Sequence, residues 1–169
     1  STDPDIDRDC SSSVAARRAL AQVTRPADRI VLVLEGELDC GQEALARAYH
    51  EQGLRAEGPF IKVAASSKAG RSPYQDLFGG TDELSAFARA KGGTVFIESL
   101  NAIGEAGIER LAKLGEGLEA ARMAGTSVRW PPLVIGMERP LEVERQTGRI
   151  PAELAKILER SVVKVPPLR

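Results

Sequence analysis

Short apolar runs recur along this chain, and they limit its fold more than any other feature does. Ile30–Leu34 (IVLVL), Phe60–Ala64 (FIKVA), Thr94–Ile97 (TVFI), Leu133–Ile135 (LVI) and Val162–Val165 (VVKV) are each too short for a stable helix and rich in β-branched residues. Most are continuously apolar rather than alternating, the pattern of strands covered on both faces. Between them lie stretches with helical spacing: Gln42–Gln52, Tyr74–Phe78, a segment capped by Thr81 or Asp82 and running to Ala90, Glu105–Met123 and Pro151–Arg160. Ile108, Leu111, Leu114 and Leu118 give the longest of these an apolar face, despite Gly107, Gly115 and Gly117. Another helix is expected over Val14–Val23, behind a cap at Ser11–Ser13. Strands alternating with helices imply an α/β fold: a mainly parallel five-stranded sheet between two helical layers, with a ligand crevice beyond the carboxyl ends of the strands. The 169 residues support one such domain, read here as a core over residues 10–169 behind a flexible, acidic N-terminal segment, residues 1–9.

Charge and cysteine content exclude several function classes. With 23 Lys and Arg against 24 Asp and Glu, the chain has no electrostatic footprint for nucleic acid or an anionic membrane. Two cysteines, Cys10 and Cys40, cannot make a disulfide framework and lack the spacing of a zinc site. No apolar run approaches the ~20 residues needed to span a bilayer, and the opening STDPDIDRD lacks the shape of a signal peptide, so a cytoplasmic location is expected.

The segment GELDCGQE, Gly36–Glu43, lies where the first strand meets its helix, facing the expected crevice. Gly36 and Gly41 have the separation of a phosphate loop, G-x-x-x-x-G-K-[ST], in which backbone N–H groups surround phosphate oxygens and a lysine contacts the outer phosphates. Here Gln42 is neutral where the lysine belongs, and Asp39 adds negative charge to the loop. Replacing a charge-assisted contact by a neutral one forfeits roughly 1–2 kcal/mol of ground-state binding. The glycine spacing alone fits an ordinary strand-to-helix turn equally well.

Further motifs follow in a fixed order: VLVLEGELDCGQEALARAYHEQG, GPFIKVAASS, DLFGG, GGTVFIESL and the closing VVKVPPLR. Together they resemble the AAA+ ATPase domain of sigma-54-dependent transcriptional activators, the bacterial enhancer-binding proteins. The first is similar to that family's strand, GESGTGKE loop and following helix, with Glu37, Gly41, Glu43, Ala46, Arg47, Ala48 and His50 matching. The others resemble G-P-F-x-x-V-N-C-A, E-L-F-G-H, G-G-T-L-F-L-D-E-I and V-x-P-I-x-L-P-P-L-R. The resemblance implies a three-layer αβα Rossmann-like P-loop (AAA+) core. The family continues past P-P-L-R into a helical lid, so the expected core is one without the helical lid subdomain.

The departures from the family fall on its catalytic positions. Gln42 takes the place of the Walker A lysine, Glu98 that of the magnesium-binding aspartate of Walker B, and Ser99 that of the glutamate that polarises water. Glu138 falls on the sensor asparagine, and Pro151 and Ile157 fall on the two arginines that reach a neighbour's nucleotide. Only TDELSAFARAK fills the interval where the family's G-A-F-T-G-A loop grips the sigma factor. The expectation is a catalytically inactive AAA+-like regulatory or scaffolding module, a pseudo-ATPase with no catalytic residue, cofactor or metal. Gly36, Glu37, Asp39, Gly41, Gln42 and Glu43 then form a vestigial phosphate loop, Glu98 and Ser99 a vestigial Walker B, and Glu138 a vestigial sensor. Expected partners are a protein or neighbouring domains of a longer regulator, with homo-oligomerisation open. No membrane, direct nucleic-acid or sigma-54 contact is expected. The alternative is a non-hydrolysing nucleotide or cyclic-dinucleotide sensor that uses the loop amides.

Other features have plainer readings. His50 matches a frequent family histidine and is expected to be structural, while Cys40 opens a helix beside Asp39, which opposes its ionisation. Glu98 and Glu138 would both lie near the crevice, as solvated or hydrogen-bonded leftovers rather than a working carboxylate pair. Glu43 and Arg47 form an E-x-x-x-R pattern that serves cyclic di-GMP binding in some relatives, without the N-terminal segment that accompanies it there. Trp130-Pro131-Pro132 reads as a stiff lead-in to a strand.

Overall fold

The computed structural model describes residues 31–36, 41–52, 56–80, 84–125, 133–159 and 162–164, the side chains of residues 118, 119 and 122 aside. Its five strands are β1 (Val31–Glu35), β2 (Phe60–Val63), β3 (Thr94–Ile97), β4 (Leu133–Met137) and β5 (Val162–Lys164). They form one sheet in the order β2-β3-β4-β1-β5, and every pairing is parallel. Leaving β1, the chain crosses to the far edge at β2 and fills back through β3 and β4. It then passes to the other side of β1 for β5. The strand order therefore reverses around β1, which places the crevice of a doubly wound sheet at that strand's carboxyl end.

The unbroken apolar runs have the cause inferred from sequence: successive residues serve two cores. On β1, Val31 and Val33 pack into the larger cluster, while Leu32 and Leu34 pack into a smaller one. Val95 and Ile97 of β3 join the first, and Phe96 joins the second. The smaller cluster is closed by α1 (Gln42–Gln52) through Leu45 and Ala46. The larger one carries α2 (Pro73–Phe78), α3 (Ala86–Arg89), α4 (Gly104–Met123), α5 (Leu141–Gln146) and α6 (Ala152–Leu158).

Most expected elements form, with four differences. Helix α3 starts at Ala86, because the hydroxyl of Ser85 accepts from Ala88 N and caps it there; residues 81–83, where the cap was expected, lie outside the described residues. A 3-10 turn, Leu100–Ile103, precedes α4. Strand β4 runs two residues past Ile135, through Gly136 and Met137. Helix α5 was not foreseen: it is a short, charged segment behind Pro140 with only Leu141 and Glu144 buried, too little periodicity to register. The expected helix at Val14–Val23, the Trp130-Pro131-Pro132 segment and the closing Pro166-Pro167 also lie outside the described residues.

Two motif glycines are fixed by close approach. A Cβ on Gly58 would sit 1.8 Å from the carbonyl oxygen of Gly92, and one on Gly93 would sit 1.9 Å from that of Pro59. The Gly-Pro turn entering β2 and the Gly-Gly turn entering β3 are thus stacked backbone to backbone, and Thr94 N donates to Pro59 O at 2.9 Å. His50 secures the same corner from α1. Its Nε2 donates to Gly58 O at 3.0 Å, and its Nδ1 lies 2.7 Å from the Thr94 hydroxyl, so both ring nitrogens have a partner.

Candidate phosphate-loop site

At the carboxyl end of β1, Gly36 N donates to Met137 O at 2.9 Å, holding the start of the loop against β4. The chain re-enters description at Gly41, with φ 76°, and Leu45 N donates to Gly41 O at 3.0 Å as α1 begins. Glu37, Asp39 and Cys40 lie outside the described residues. Gln42 is only 2% exposed, and its side chain turns inward. Its Nε2 donates to Leu34 O at 3.2 Å and to Gly36 O at 2.9 Å, while Oε1 is buried with no hydrogen-bond partner. Gly136 of β4 lies against the turn after β3: a Cβ there would lie 2.3 Å from the carbonyl oxygen of Glu98, while its 3.4 Å from Gln42 Oε1 would be ordinary contact.

Beside it runs a chain of charges that the sequence reading did not assemble. Lys62 on β2 places its ammonium 2.5 Å from Glu43 Oε1 and 3.0 Å from Glu98 Oε2. The other Glu43 oxygen accepts from Arg47 Nε at 3.1 Å, and the other Glu98 oxygen accepts from Ala65 N at 2.9 Å. Arg47 also lies over the Phe60 ring, 4.5 Å from its centroid. The hydrogen bond from Lys62 holds the Glu43 carboxyl below its ordinary value, against the opposing effect of partial burial, and Arg47 adds to the lowering. Lys62 is raised in turn, chiefly by its hydrogen bond to Glu43, against burial and with help from Glu98. Both oxygens of Glu98 are engaged within the protein. The available signal for Lys62 was a lone cation inside an apolar strand.

The remaining candidates disperse. Ser99 is buried, 4% exposed, and heads the 3-10 turn without a side-chain capping bond. Glu138 is exposed beyond the end of β4, so it shares no buried carboxylate pair with Glu98. Pro151 opens α6, with Ala155 N donating to its carbonyl at 2.9 Å. Ile157 packs toward α4: a Cβ on Gly115 would lie 2.8 Å from its Cδ1. Among the described residues, no group of three His, Cys, Asp or Glu could hold a metal ion.

This fold and loop have known relatives. The model of the sigma-54 interaction domain matches residues 9–154. The chain belongs to the sigma-54 interaction domain family. Nif-specific regulatory proteins are similar to it: that of Rhodobacter capsulatus is 31% identical over 176 residues, covering 97% of this chain and 30% of its own length. That of Herbaspirillum seropedicae is 30% identical, over 97% of this chain and 32% of its own length. The chain thus spans about a third of the length of these curated relatives. Among solved structures, NtrX from Brucella abortus in complex with ATP superposes with a TM-score of 0.70 at 22% identity, over 93% of this chain and 36% of that one. The P-loop NTPase domain of the sigma-54 transport activator from E. coli gives 0.58 at 23%, over 90% of this chain and 93% of that one. At these identities the structural likeness speaks for the shared fold. Like its relatives' P-loop domains, this member of the sigma-54 interaction family is an α/β domain with a mainly parallel five-stranded sheet. No helix among its described residues is long and apolar enough to cross a membrane.

Proposed function

We propose that this sigma-54 interaction domain does not hydrolyse ATP and acts as a regulatory or scaffolding protein-interaction module in transcriptional regulation or signalling. The observation that carries this reading is Gln42: at the lysine position stands a neutral side chain whose amide N–H groups are both directed at carbonyls of its own chain. Phosphoryl transfer depends on positive charge and oriented carboxylates around the transferred group. Here Glu98 is held by Lys62 and Ala65 N, and Ser99 supplies no carboxylate. These residues do not fit a magnesium–nucleotide complex.

In this reading residues 10–169 form the core of a longer cytoplasmic regulator, whose other domains or a partner protein meet the core's surface; residues 1–9 lie outside the described residues. The competing reading is a nucleotide or cyclic-dinucleotide sensor, favoured by the preserved junction of Gly41 with the eleven-residue α1, whose amino end suits an anion. A thermal-shift titration with Mg·ATP, Mg·ADP, GTP and cyclic di-GMP at millimolar concentration separates the two. The scaffold reading expects no shift with any of them. A saturable rise with one would replace it by the sensor.

A further inference from the structure

We propose that α5 is a releasable flap beside the carboxyl end of β1, and that Glu144, sealed beneath it without a partner, keeps its release easy. The flap operates whether or not the domain hydrolyses ATP. Glu144 is 0% exposed, and neither of its carboxyl oxygens has a hydrogen-bond partner. The Arg139 guanidinium stands 4.0 Å from Oε1, beyond hydrogen-bond reach, on a side chain that is itself 57% exposed. A carboxyl group withdrawn from water and left without a bond raises the energy of the docked helix. It recovers its hydration when the helix lifts.

Little else holds α5 down. Of residues 141–149 only Leu141 and Glu144 are buried, so a single apolar side chain anchors the segment. Pro140 precedes the helix and gives it no side-chain cap. Leu141 N instead donates to Glu35 Oε2 at 3.2 Å. At the other end the Glu144 carbonyl accepts from the Thr147 hydroxyl and from Arg149 N, both at 3.1 Å, and these exposed donors can turn to water instead. A six-residue helix does not persist alone, so lifting also unwinds it, a local opening that breaks few apolar contacts. Met137 and Ile150, on either side, belong to the larger core and fix the ends of the flap. Release takes the Leu141 amide from Glu35, the last residue of β1, and frees residues 138–140 beyond β4. Strand order reverses around β1, so the flap borders the crevice, and its release changes the surface presented there.

The flap is tested by native-state hydrogen exchange in the wild-type chain and in Glu144→Met, which nearly keeps the side-chain volume and removes the carboxyl group. Glu144→Leu takes its place if the methionine variant does not fold, as circular dichroism will show. The amide of Ile135, on a fully buried residue of β4, is the internal reference. In the wild type the Thr147 and Arg149 amides should exchange at least about a hundredfold faster than that of Ile135. The substitution should slow both about tenfold or more beyond any change at Ile135. Thr147 and Arg149 exchanging no faster than Ile135 would overturn the flap, because α5 would then open only with the whole domain. A slowing no larger than that at Ile135 would overturn it as well, because Glu144 would then not be what eases release.

Discussion

Replacing Lys62 by Met removes a cation that joins α1, β2 and the residue after β3, and the structure sets the size of the effect. The Lys62, Glu43 and Glu98 side chains are 33%, 38% and 31% exposed, so solvent screens the contacts and each falls toward the upper part of the range of about 0.2–1 kcal/mol for exposed pairs. Without the ammonium, two carboxylate oxygens that both touched it face each other no more than about 5.5 Å apart. With screening close to that of bulk water, which these partly exposed and freely turning carboxylates approach, this repulsion adds about 1 kcal/mol. Methionine recovers a little by burying its methylenes, leaving a net loss of about 1–3 kcal/mol, or roughly 2–10 °C in Tm for a domain of this size.

The pH dependence identifies the cause. Glu43 is lowered from 4.5 on folding, so its contribution is present above that value and is lost as pH falls through its folded-state value. Lys62 is raised from 10.5, so its contribution is present below that value and is lost as pH rises through its folded-state value. The cost of Lys62→Met, followed by thermal melts across this range, should therefore be greatest on the plateau between those limits. It should shrink as pH drops through Glu43's folded-state value, below 4.5, where the wild-type protein itself loses the contact. An unchanged Tm near neutrality, or a deficit that persists undiminished in acid, would refute the electrostatic reasoning.

Other perturbations probe the rest of the site. Gly136→Ala would place a methyl group 2.3 Å from the Glu98 carbonyl oxygen, and should cost at least about 1–3 kcal/mol in urea unfolding because backbone must move. His50→Leu leaves Gly58 O and the Thr94 hydroxyl without their ring partner, and is expected to destabilise by about 1–3 kcal/mol in the same assay. Ala69 holds φ 54° in the tight turn between Lys68 and Arg71, so Ala69→Gly should relieve left-handed strain and stabilise by up to about 1 kcal/mol, read from the urea midpoint.

The sheet was legible in the sequence because each inner strand is buried on both faces, which prints an unbroken apolar run such as VLVL or TVFI. Its order was not, since apolar runs do not say which strands are neighbours. Gly136 misled in the other direction. It stands just past the expected end of β4, yet it lies within the strand, where a Cβ would meet the Glu98 carbonyl oxygen at 2.3 Å. Helix α5 left little trace, as six residues with two buried positions carry too short a period to detect. In the site, the residue types at the loop were plain, but the direction of the Gln42 amide was not. That direction depends on two carbonyls, one eight residues back on β1. Lys62 was missed for a similar reason: its partners come from α1 and from beyond β3, and only the fold brings them together.

The proposed lack of ATPase activity in this sigma-54 interaction domain is tested most directly by phosphate release from Mg·ATP, followed over hours with the purified chain at high concentration. The expected result is a rate equal to that of buffer alone. Release proportional to protein concentration, and lost when magnesium is chelated, would contradict it.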